Sequence, residues 1–136
     1  MSYFINPVEE EQCLFLTYEG EMLPIEVAAV RYEASGLLAA KRWNRIVVDI
    51  TELRSVPTAL ELFAFARGLS SDLPQSARVA LVVRPEQTKL AKLIENVARN
   101  YDMFLTFFFN AEEATIWVKG VKPHERTQRR RTDKRL

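Results

Sequence analysis

Apolar positions in this chain follow two spacings, short runs of strand formers and longer stretches in which they recur every three to four residues. Residues 3–8 and the run Gln12 to Tyr18 read as strands. The acidic turn Glu9-Glu10-Glu11 between them predicts an antiparallel hairpin with 3–8 at the sheet edge, where Pro7 is tolerated. Pro24 suits the first turn of a helix, because its missing N–H would have no partner there. That helix is expected from 24 to about 42, with Ile25, Ala28, Ala29, Tyr32, Gly36, Ala39 and Trp43 on its buried stripe and Gly36 at a close approach. Arg45 to Ile50 is β-branched without alternation, as a strand buried on both faces reads.

Thr51 to Pro57 is expected as a loop. Thr58-Ala59-Leu60-Glu61 then has the form of a capping box, opening a helix from 59 to about 71 that buries Leu62, Phe65, Ala66 and Leu69. Ala77 to Val83 predicts a further buried strand. A helix over about 86–101 follows, with Leu90, Leu93, Ile94, Val97, Ala98 and Tyr101 inward and a Glu95–Arg99 pair outward. Residues 103–109 supply the last strand, and Asn110 with Glu113 has the form of a second capping box, opening a final helix to about Lys119. The order β-β-α-β-α-β-α-β-α predicts an α/β fold with a mixed, mostly parallel sheet and an antiparallel edge hairpin. If the strands lie in sequence order, right-handed crossovers put their helices on one face. The other face then needs a cover, by the remaining elements or by a second subunit, since apolar residues occupy both parities of 103–109.

Composition adds limits. At 136 residues, 48% apolar and 27% charged, the chain suits one soluble domain. The formal charge of +1 conceals a division: from Lys119 onward stand eight basic and two acidic residues, so the rest carries a net −5. Residues 1–119 are therefore expected to form the domain and 120–136 a basic, disordered tail. Within that tail Arg126, Arg129, Arg130, Arg131, Lys134 and Arg135 are able to displace counterions from a nucleic acid or an acidic membrane. They have no interleaved aromatics for base stacking, and the alternative is a solvated tail or one folded back on the acidic body. The longest apolar run, Met103 to Phe109, is far short of the ~20 residues of a spanning helix. The start has neither a basic region nor an apolar one of signal type, and Cys13 has no disulfide partner, so a cytoplasmic location is expected.

The reactive inventory is sparse. His124, the only histidine, lies in the tail, and Cys13 sits within a strand, where a cysteine is a small core residue. A zinc site would need several Cys or His ligands. The glycines at 20, 36, 68 and 120 are too far apart for a phosphate-cradling loop. Neither catalysis nor a cofactor or metal is expected. Asp49 is the best-placed carboxylate, at the end of an interior strand where open α/β sheets bind ligands; the alternative is that it holds the following loop by accepting local amide bonds.

The segment Ile46-Val47-Val48-Asp49-Ile50-Thr51-Glu52-Leu53, followed by Val56-Pro57-Thr58-Ala59-Leu60-Glu61-Leu62, resembles the STAS fold of anti-sigma-factor antagonists, the SpoIIAA-like group, in its divergent bacterial branch. The likeness covers roughly residues 3–119 and includes the last strand and the short helix containing Trp117. It implies that Thr58 corresponds to the switch serine of phosphorylatable members, and Asp49 to the aspartate ending the strand. The sequence departs from that pattern where Pro57 replaces an acid and Ala59-Leu60 replaces a small pair. For Thr58 the alternative is a plain N-cap, although phosphate would suit a helix N-terminus.

Two functions from different classes follow. One is a non-catalytic regulatory module that docks a protein partner, or a second copy of itself as a homodimer, on a sheet face or on the helix opening at Thr58. The other is a small-apolar-ligand or lipid-binding domain of the kind found in SEC14-type carriers, which the SpoIIAA-like fold resembles. Trp43, Phe63, Phe65, Phe107 and Phe109 are the aromatics expected to line its cavity, or alternatively to fill the core.

Overall fold

The computed structural model describes residues 3–21, 23–54 and 58–120. Strand β1 (Tyr3–Val8) pairs antiparallel with β2 (Cys13–Gly20), across a turn of 3-10 helix at Glu9–Glu11 that ends on Gln12 in the left-handed region. Helix α1 (Pro24–Lys41), β3 (Arg45–Leu53), α2 (Ala59–Asp72), β4 (Arg78–Val82), α3 (Thr88–Asn100), β5 (Phe104–Phe108) and α4 (Ala111–Val118) complete the order. The five strands lie side by side in the sequence β1-β2-β3-β4-β5, antiparallel at the first pair and parallel at the others. This is the expected α/β architecture.

Alternation along the strands sends side chains to two cores. Leu14, Leu16, Ile46, Val48, Val79 and Leu81 point to the larger one, which α1, α2 and α3 share. Val47, Ala80, Val82 and Phe108 point the other way, onto Ala114 and Val118 of α4. The remaining element thus supplies the cover for the second face over β3, β4 and β5. Arg78 holds α4 there, donating to the Trp117 carbonyl at 2.8 Å with its guanidinium 5.3 Å from the Trp117 ring centroid. Phe4, on β1, remains exposed.

Several local expectations are corrected. The buried stripe of α1 is Val30, Ala34 and Leu38, whereas Ile25 and Tyr32 are exposed. Both sets recur at helical spacing, and burial selects the one with branched aliphatics. Gly36 makes no close approach: a Cβ there would meet nothing within 4 Å. Strand β3 continues past Ile50 to Leu53 because β2 also continues, pairing Glu19 with Glu52 and Gly20 with Leu53 after an irregularity. In α3 the buried positions are Ala91, Val97 and Ala98, while Leu93 is exposed. Glu95 accepts from the Thr106 hydroxyl on β5 and Arg99 donates to Asn96, so the expected Glu95–Arg99 pair does not form. Leu62's side chain and the tail residues 121–136 lie outside the described residues.

Candidate functional site

Helix α2 packs chiefly against α1 and α3 rather than onto the strands. At its C-terminal half the fit is close: between Leu69, Val97 and Met103 only about 10 Å³ is left. At its N-terminal half the helix stands away from the sheet and leaves a cavity of about 640 Å³ that opens to the surface. The floor is Val48, Ile50 and Leu53 of β3 with Val79 and Leu81 of β4. Val27 and Ala28 of α1 form one wall, and Leu90 and Ile94 of α3 the other. Ala64 and Phe65 of α2 close it above.

Among the described residues, four with polar side chains line it: Tyr18, Arg31, Thr58 and Glu61. Thr58 and Glu61 are engaged at the start of α2. The Thr58 hydroxyl accepts from the Glu61 amide at 3.1 Å and the Glu61 carboxylate accepts from the Thr58 amide at 2.8 Å, the reciprocal capping box. Tyr18 comes from β2. Burial pushes its phenol well above the usual range, an effect the nearby Arg31 charge opposes in part, so it enters the cavity as a protonated hydroxyl.

Arg31 stands on the inner side of α1, between Val27 and Ala34, and crosses to α2. Its Nε donates to Asp72 at 3.0 Å. Among the described residues neither of its Nη groups has an acceptor, although its side chain is only 22% exposed. Gly68 makes room for it, since a Cβ at that position would stand 2.4 Å from the guanidinium carbon.

Of the five aromatics expected around a cavity, only Phe65 lines it. Trp43 is buried in the main core beside Lys41, whose Nζ lies 5.0 Å from its ring centroid. It lies two residues before β3, whereas the cavity lies over that strand's second half. Phe107 packs against the main core and meets Phe109 edge to face at 5.8 Å between centroids. Phe63 and Phe109 are exposed. Aromatic content marked possible lining, but the empty volume follows from where α2 lifts, and aliphatic residues surround it.

Thr58 and Asp49 are not brought together. Thr58 is at the cavity, while Asp49 alternates with Val48 and Ile50 onto the opposite sheet face. There its carboxylate accepts from the Thr51 amide at 2.8 Å and the Thr51 hydroxyl at 2.7 Å, beside the irregularity in the β2–β3 pairing. Asp49 is thus not at a strand end as expected: β3 runs on to Leu53, and the bonds it accepts come from Thr51 inside the strand, with no loop there to hold. Cys13 is fully buried in the second core and burial pushes its thiol up to about 12, which leaves no thiolate for attack at neutral pH. Among the described residues no group of three or more His, Cys, Asp or Glu side chains is placed to hold a metal ion, and no helix is long and apolar enough to cross a membrane. Arg129, Arg130 and Arg131 lie outside the described residues.

Tyr18 and Arg31 are the residues sequence reasoning passed over. A signal for Arg31 was present: it is a cation on the inner side of α1, four residues after Val27 and three before Ala34. No protein-family model matches the chain, and no curated protein matches it.

Proposed function

We propose that the chain is a non-catalytic binding domain that encloses a small apolar ligand between its sheet and helices α1, α2 and α3. The supporting observation is the cavity. Protein interiors pack to the density of organic crystals with few voids larger than a water, yet about 640 Å³ stands open here among aliphatic side chains. That volume lies inside the ~300–1,000 Å³ range of small-molecule sites, which are mostly apolar with a few placed polar groups. The element order supports the resemblance to the SpoIIAA-like fold, and the apolar lining favours the SEC14-like reading of it. Titrating the purified chain with a dye that fluoresces only in apolar surroundings should give saturable emission at one dye per chain. Emission that rises without saturation, or not at all, refutes the reading.

A second reading, a regulatory module resembling anti-sigma-factor antagonists, is favoured by the outer face of α2. Next to Thr58, Leu60 is 79% exposed and Phe63 44% exposed, which is apolar surface suited to a protein partner. Thr58→Ala should cost about 1 kcal/mol through loss of the cap, read by urea denaturation. The regulatory reading requires in addition that Thr58→Glu change the set of proteins retained by the immobilised chain. Identical sets for Thr58→Ala and Thr58→Glu would leave capping as the residue's whole role.

A further inference from the structure

We infer that the cavity selects single-chain carboxylic acids, with the carboxylate held by the Nη donors of Arg31 and the hydrocarbon lying over Val48, Ile50 and Leu81. The inference rests on the apolar-ligand reading above and adds the chemistry of the ligand's head. An aliphatic lining by itself accepts any hydrocarbon of suitable size, so selection falls to the polar groups that reach it. Thr58 and Glu61 already satisfy each other through the capping box. Arg31 does not exhaust its donors: Asp72 takes Nε, and among the described residues both Nη groups lack an acceptor on a side chain only 22% exposed. A guanidinium presents a planar fork that matches a carboxylate. Those Nη atoms are not sealed from water, so a ligand carboxylate exchanges their hydration for charge-assisted hydrogen bonds and gains more than its hydrocarbon provides.

The flanking charges set the head's valence. Asp72 neutralises part of the Arg31 charge at 3.0 Å and Glu61 reaches the same lining. A carboxylate head is held by hydrogen bonds to the Nη donors against these two carboxylates, which oppose a doubly charged phosphate monoester more strongly than a singly charged head. Gly68 and Asp72, four apart on α2, position the guanidinium, one by leaving space and the other by ion pairing.

The test compares hexadecanoic acid, hexadecanol and methyl hexadecanoate as displacers of the apolar dye from the full chain. The acid is expected to bind roughly tenfold or more tighter than either neutral analogue, the order expected of a hydrogen bond to a charged group. Asp72→Asn keeps an oxygen that can accept from Nε but removes the competing charge, and should widen that margin, while Arg31→Met should erase it. Gly68→Ala keeps every charge but displaces the guanidinium, and it should erase the margin too, with folding checked by circular dichroism. Equal displacement by acid, alcohol and ester in the wild type, or a margin unchanged by Arg31→Met, overturns the head-group assignment while the cavity stands. Absence of saturable dye binding overturns the cavity and this inference together.

Discussion

Replacing Val48 by phenylalanine is expected to abolish uptake of an apolar dye while leaving the chain folded. Val48 is 5% exposed on the central strand β3, paired in register with Leu81, and both belong to the cavity floor. In a filled core, extra carbons force neighbours off their rotamers at a cost of about 1–3 kcal/mol. Here the ring would project into open volume. It would gain dispersion contacts that the valine lacks, so stability should stay within ~1 kcal/mol of the wild type or exceed it. Dye affinity should fall at least tenfold because the ring occupies the ligand's place. Urea denaturation and dye titration on the same preparation check both halves. A variant destabilised like an overpacked core that still binds dye would show that α2 rests on the sheet rather than above it.

Truncating Leu38 to alanine should have the largest effect on stability. Leu38 is fully buried on α1 in the main core, away from the cavity. Its loss removes the transfer free energy of the deleted carbons and leaves a void that close-packed neighbours cannot fill, about 3–5 kcal/mol together. For a chain of this length that lowers the melting temperature by about 10 °C or more. Leu90→Ala is the control. Leu90 is half-buried and already borders the cavity, so it has fewer contacts to lose, and its truncation should cost less than half as much. Equal costs at the two sites would mean that the space beneath α2 is filled.

Much of the architecture was legible because it depends on local chemistry. The β-branched run before Asp49, the proline opening α1 and the hydroxyl and amide caps of α2 and α4 each act within a few residues of themselves. Their expected elements form, although at α4 only the Asn110 side chain accepts from the Glu113 amide and the box is not completed by Glu113. The errors fell where a distant element decides. The inward face of α1 depends on which of two periodic stripes meets the sheet. The end of β3 depends on how far β2 runs beside it. The fate of Glu95 depends on Thr106, eleven residues on and in another element.

The candidate site was less legible for the same reason. Val48, Ile50, Leu81 and Ile94 carry no mark that separates a cavity wall from a packed core, since both demand apolar side chains. Aromatic residues were a natural guess for a lining, and one of the five belongs to it. By itself the sequence determined the order of strands and helices, the caps, and the scarcity of reactive groups, because spacing and side-chain chemistry suffice for those. Only the tertiary structure decided that α2 lifts from the sheet at one end and that Arg31 crosses over Gly68 to Asp72. Empty volume and an unspent hydrogen-bond donor are relations among residues far apart in the chain, and no single residue type encodes them.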